Sequence, residues 1–146
     1  MRQRWYLDSN IFIYTLEGNT EFDDTLHQLA MDIAEGKLDA VTSELSVAEV
    51  LVKPIAERDI QAQENYTTAL SNTDNFSVVP VGREILLEAA TVRAFNKLKL
   101  PDVIHFSTAC LTNCTHFVTN DDHFKMVQSN QKIKVLLLQQ FQHLQK

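Results

Sequence analysis

Trp5-Tyr6-Leu7-Asp8-Ser9-Asn10-Ile11-Phe12-Ile13-Tyr14 is the stretch whose reading decides the fold. Its aromatic and apolar start reads as a buried strand, and Asp8-Ser9-Asn10 supplies the turn-forming residues that end it. Ile11 to Tyr14 then begin a new element. A carboxylate therefore stands where a buried strand hands over to the next segment. The same strand-then-segment alternation continues along the chain.

Leu26, Leu29, Ala30 and Ile33 fall at helical spacing, with Gly36 as a stop. A short strand is expected over 38–42. A compact helix over 44–52 follows, ended by Pro54, because an interior proline removes a helix hydrogen bond. A polar helix over 61–70 precedes a strand over 76–80. After Gly82, Ile85, Leu86, Ala89, Ala90, Val92, Ala94 and Phe95 make a long helix. Pro101 opens the next one, carrying Val103, Ile104, Phe106, Ala109 and Cys110. Strands over 116–119 and 134–138 close the series. Strands separated throughout by helices predict an α/β fold with a largely parallel sheet covered on both faces.

The 146 residues are 45% hydrophobic with only three glycines and three prolines, and no linker or repeat divides them. One domain over 1–146 is expected. Met1-Arg2-Gln3-Arg4 is basic, but Asp8, Ser9 and Asn10 interrupt the following apolar stretch before it could act as a secretory signal. No segment approaches the roughly 18 apolar residues of a membrane span, so a cytoplasmic protein with no membrane role is expected. The net charge of −6 argues against wrapping nucleic acid by bulk electrostatics, leaving only local contacts. Cys110 and Cys114, with His116 nearby, lack a second ligand pair at zinc spacing and read as packing residues.

In open parallel sheets the site lies beyond the carboxyl ends of the strands. Asp8 and Asp121 stand at such ends, and Asp102 lies in a helix's first turn. Glu49 lies among Leu45, Val47, Val50, Leu51 and Val52, where an ionised carboxylate is expensive unless something positive meets it. Each acid has an ordinary alternative. Asp8 fits an Asx turn with Asn10, Asp121 fits an N-cap, and Asp102 complements a helix dipole. Ser46 and Glu49 fit a capping box, which would turn Glu49 back on the backbone.

The combination is more specific than its parts. Leu7-Asp8-Ser9-Asn10-Ile11, Thr42-Ser43 through Ala48-Glu49-Val50-Leu51, Leu100-Pro101-Asp102-Val103-Ile104-His105, and Phe117-Val118-Thr119-Asn120-Asp121-Asp122-His123-Phe124 together resemble the PIN-domain ribonucleases, in order and separation, across nearly the whole chain. The resemblance implies a three-layer α/β/α sandwich around a central, mainly parallel sheet. It puts Asp8, Glu49, Asp102 and Asp121 at the family's four acidic positions, with Asn10, Thr119 and Asp122 as supporting polar residues. Asp122 competes with Asp121, and the Thr-Asn-Asp run followed by Phe124 favours Asp121. Glu44 falls outside the site.

An all-carboxylate set suits Mg²⁺ or Mn²⁺, one or two ions, which would activate water against an RNA phosphodiester. Arg93, Lys97 and Lys99 are either a local RNA contact or a solvated helix end. His105, three after Asp102, either faces the site or is a packed helix residue, and the second reading is preferred. The small form of the resemblance is the VapC-type toxin of a bacterial toxin–antitoxin pair, which implies an antitoxin partner and a homodimer. The alternatives are a PIN-like nuclease of RNA processing without an antitoxin, and a catalytically silent domain that binds RNA or protein.

Overall fold

The computed structural model describes residues 2–19, 21–130 and 133–140, without the side chains of 126 and 128–130. Five strands, β1 (Gln3–Leu7), β2 (Leu38–Ser43), β3 (Phe76–Val79), β4 (His116–Thr119) and β5 (Lys134–Leu137), form one sheet in the order β3-β2-β1-β4-β5. Every pairing is parallel. The helices are α1 (Ser9–Glu17), α2 (Asp23–Ala34), α3 (Glu44–Ala56), α4 (Ile60–Ala69), α5 (Arg83–Phe95) and α6 (Leu100–Leu111), and a 3₁₀ run spans Asp122–Asn130. The expected α/β/α sandwich is what forms.

Alternation along each strand builds two cores. Trp5, Leu7, Ala40, Val118 and Leu136 face α1 to α4, whereas Tyr6, Val41, Phe117 and Val135 face α5, α6 and the 3₁₀ run. Successive strand side chains point to opposite faces, so Tyr6 belongs to the second core while its neighbours belong to the first. Tyr6 stacks on Phe117, centroids 5.0 Å apart, and Phe124 closes over Phe117 at 4.6 Å.

Local signals act mostly as the sequence predicts. Gly36 stops α2 at a φ of 75°, in the left-handed region that glycine enters freely. Pro101 lies at the start of α6. Pro54 is the exception: α3 runs past it to Ala56. It sits in the last turn, where the proline sacrifices only the bond to the Val50 carbonyl, and its ring is buried. Among the described residues no helix is long and apolar enough to cross a membrane.

The strand order locates the site. From β1 the chain steps outward to β2 and β3, then returns to place β4 on β1's other edge. The connections leaving β1 and β4 diverge to opposite faces and leave a crevice at the strands' carboxyl ends. Asp8 follows β1, and Asp121 lies two residues beyond β4.

Candidate active site

Asp8 is the N-cap of α1 and is only 6% exposed. Its Oδ1 accepts the Ser9 backbone N–H at 2.9 Å. Its Oδ2 accepts the Thr119 hydroxyl at 2.7 Å and the Asn10 amide at 3.3 Å. Thr119, fully buried at the end of β4, also accepts the Asp121 N–H at 3.1 Å. One hydroxyl thus ties the ends of β1 and β4 together and sets the start of the Asp121 turn. On the other side, Thr42 donates to the Leu7 carbonyl at 2.7 Å and pairs with Ser46 at 2.8 Å.

Those contacts exclude the capping box foreseen for Glu49. The N-cap of α3 is Ser43, whose hydroxyl accepts the Leu45 N–H at 3.0 Å, and Ser46 lies inside the helix, bonded to Thr42. No capping box turns Glu49 backwards. Its Oε1 instead meets Nε2 of His105 at 2.5 Å. Glu49 is 32% exposed, so its helix is less enclosed than its apolar sequence suggests. The group that meets the carboxylate comes from α6.

Asp102, in the first turn of α6, is half-buried. Burial raises its carboxyl above the ordinary range, and the charges of Asp121 and Asp8 push it further. The Lys99 backbone N–H and His105 oppose the rise. Asp8 is also raised, chiefly by burial and with a contribution from Glu49, against the pull of His105, Thr119 and Ser9. His105 lies against both Glu49 and Asp8, and Asp102 lies within range of the charges of Asp121 and Asp8. Asp121 caps the turn that follows, Oδ1 accepting the His123 N–H at 2.9 Å. Asp122 is 80% exposed and faces Lys125 at 3.7 Å, and Glu44 is exposed on α3.

The ordinary roles and the cluster coexist: Asp8 and Asp121 cap the segments that carry them into the crevice. Sequence reasoning preferred a packing role for His105 and missed Tyr6. His105 is 1% exposed and lies between Glu49 and Asp8, whose Oδ1 is 3.7 Å from Nε2. The available signal was its place one turn after Asp102 in an otherwise apolar run. Cys110 and Cys114 are free, and burial pushes both thiols up to about 11, as packing residues.

A family model for the PIN domain matches residues 5–129. The chain belongs to the PIN domain family. Three solved structures share this PIN fold. A chain of VapBC2 from Rickettsia felis, crystallised with a DNA fragment from its promoter, superposes with a TM-score of 0.73 at 16% identity, covering 92% of this chain and 98% of that one. A toxin–antitoxin complex from Klebsiella pneumoniae gives 0.66 at 22%, covering 91% and 96%. DNA-bound VapBC from Salmonella typhimurium gives 0.67 at 14%, covering 94% and 99%. No curated protein matches the sequence.

The donor chemistry of this PIN crevice suits a hard divalent cation. All four acids offer oxygen, and the Oδ1 of Asn10, beside Asp8, is buried without a hydrogen-bond partner. Among the described residues no group of three or more acids, histidines or cysteines is placed so that it could hold a metal ion by itself. Mg²⁺ asks less of the protein, because it keeps several waters and takes one or two carboxylates plus substrate oxygens.

Thr119→Val should remove the hydroxyl between Asp8 and Asp121 while keeping the shape. The buried groups it leaves unpaired should cost about 1–3 kcal/mol in a denaturant melt. An unchanged midpoint would show that water replaces the hydroxyl.

Proposed function

We propose that this chain is a metal-dependent endoribonuclease acting as the toxin of a toxin–antitoxin pair. The observation that carries the proposal is the placement of Asp8 and Asp121 at the carboxyl ends of β1 and β4, with His105 bridging Asp8 to Glu49 and Asp102 within range of the charges of Asp8 and Asp121. PIN domains are generally nucleases.

In this reading Asp8, Asp102 and Asp121, with Glu49 at the rim, hold one or two Mg²⁺ or Mn²⁺ ions. When bound, the metal lowers the pKa of a water and offsets charge on the phosphodiester. The protein's own part is placement. Thr119 and Asn10 fix Asp8, and the Asp121 turn fixes its own carboxylate beside Asp102. Buried carboxylates in this crevice repel a phosphate unless a cation intervenes, so the acids themselves enforce metal dependence. Lys97 and Lys99 are exposed on the approach to Asp102 and meet the RNA backbone. Replacing both by alanine should weaken RNA binding at all sequences and flatten its salt dependence by about 0.7 per lost phosphate contact. An unaltered salt slope would assign them to solvent.

The toxin–antitoxin complexes among the similar structures support an antitoxin as partner. Leu86, Leu87 and Phe95, the last 84% exposed on α5, support a second copy of the chain as the other partner. The test incubates the purified chain with RNA and with single-stranded DNA, in Mn²⁺ or in chelator. Internal cleavage of RNA only with metal is expected, together with growth arrest on expression. Intact RNA under every metal condition would overturn the proposal.

A further inference from the structure

His105 carries a role that the four-acid description leaves out. Its side chain is buried in α6, yet both ring nitrogens are spent on named partners: Nε2 lies 2.5 Å from Glu49 Oε1, and Nδ1 lies 2.6 Å from the Tyr6 hydroxyl. A carboxylate only accepts, so the hydrogen of the first bond sits on Nε2. A neutral imidazole then has a bare Nδ1, which accepts the Tyr6 O–H. Tyr6 is itself fully buried in β1, and its hydroxyl is the one group at Nδ1 that carries a hydrogen to donate. The chain runs Tyr6 O–H to Nδ1, and Nε2–H to Glu49. It crosses from the central strand through α6 to α3.

We propose that His105 is a positioning residue that orients the Glu49 carboxylate for the metal, with Tyr6 fixing the orientation of the imidazole. The proposal rests on the metal-dependent reading of the crevice. With both nitrogens occupied, His105 has no lone pair to offer a cation. With Nε2 on Oε1, Oε2 of Glu49 is left for the cation. Glu49 needs such a hold more than Asp8 does: its side chain is 32% accessible where that of Asp8 is 8%. A flexible, half-exposed glutamate loses rotamer freedom when it binds a cation, and a prior bond removes part of that loss. Asp8 has three hydrogen-bond donors of its own and depends on His105 less.

The test measures Mn²⁺ binding by titration calorimetry, without substrate, in wild type, His105→Leu, His105→Gln and Tyr6→Phe. The expected result is binding by wild type and weakening by about 10–100-fold in His105→Leu. His105→Gln, whose amide nitrogen reaches the position of Nε2, restores most of the affinity. Tyr6→Phe falls between wild type and His105→Leu. In the metal-free protein, imidazole ¹⁵N spectra should show a proton on Nε2. Should His105→Leu fail to fold, Tyr6→Phe, His105→Gln and the spectrum still decide. Wild-type affinity in Tyr6→Phe and His105→Leu overturns the positioning role and leaves the metal reading standing. So does a proton on Nδ1 alone, or a His105→Gln that melts like wild type but binds no better than His105→Leu. Wild type that binds no Mn²⁺ overturns the metal reading, and the positioning role with it.

Discussion

Asp102→Asn is expected to lower RNA cleavage by about 10³-fold or more while making the metal-free protein no less stable than wild type. The activity loss follows from removing one charge of the cluster proposed to hold the metal, whose stabilisation of the reacting phosphate amounts to several kcal/mol, at about 1.4 kcal/mol per tenfold. The stability gain follows from Asp102's surroundings. Burial and the charges of Asp121 and Asp8 all disfavour its ionised form in the metal-free state. A neutral isostere removes that cost and keeps an oxygen for the Lys99 backbone N–H. A variant that is merely misfolded would lose both properties. Cleavage assays and melting curves on one preparation separate the cases, and cleavage at wild-type rate would remove Asp102 from the mechanism.

Legibility in the sequence differs from residue to residue. The strand and helix order, the hand-overs at Asp8 and Thr119, and the Gly36 and Pro101 boundaries follow from local patterns, because turn and cap chemistry acts within a few residues. Pro54 was misread because a proline's cost depends on how much helix remains beyond it, and only about half a turn does. The orientation of Glu49 was not legible from Ser46-Val47-Ala48-Glu49, since the spacing serves a capping box equally well. What excludes the box is Thr42, which engages Ser46, and Ser43, which takes the cap. His105 was illegible for a related reason: its partners Tyr6 and Glu49 are 99 and 56 residues away in sequence. Long-range polar contacts are set by topology, and the strand order that brings β1, α3 and α6 together has no local signature.

The same tertiary arrangement makes the protein's stability respond to pH and metal in opposite senses. In the metal-free protein, stability should rise as pH falls from about 8 to about 5. Asp8 and Asp102 titrate above the ordinary carboxylate value of 3.8 when folded, mainly through burial, so the folded state takes up protons before the unfolded chain does. Their destabilising effect is relieved as pH falls through their folded values, and the relief is complete near 3.8. For His105, burial pulls downward, but the bond to Glu49 and the charges of Asp8, Glu49 and Asp102 carry it above 6.5. Its stabilising contribution is full below 6.5 and is lost as pH rises through its folded value. All three therefore favour mild acid. Glu17 works the other way: its bonds to Tyr66 and Lys53 lower its carboxyl below 4.5, so its contribution fades only in stronger acid. Mn²⁺ needs the carboxylates ionised, so its effect should be largest near pH 8 and shrink toward pH 5. At a hundredfold excess over Kd it should add about 2.7 kcal/mol, or roughly 10 °C in Tm for a domain of this size. Melting curves at both pH values, with and without Mn²⁺, test the whole scheme. An equal Mn²⁺ shift at both would mean that the ion binds elsewhere than the Asp8 and Asp102 carboxylates, and a metal-free Tm indifferent to pH would mean that the fold does not hold Asp8 and Asp102 above the ordinary carboxylate range.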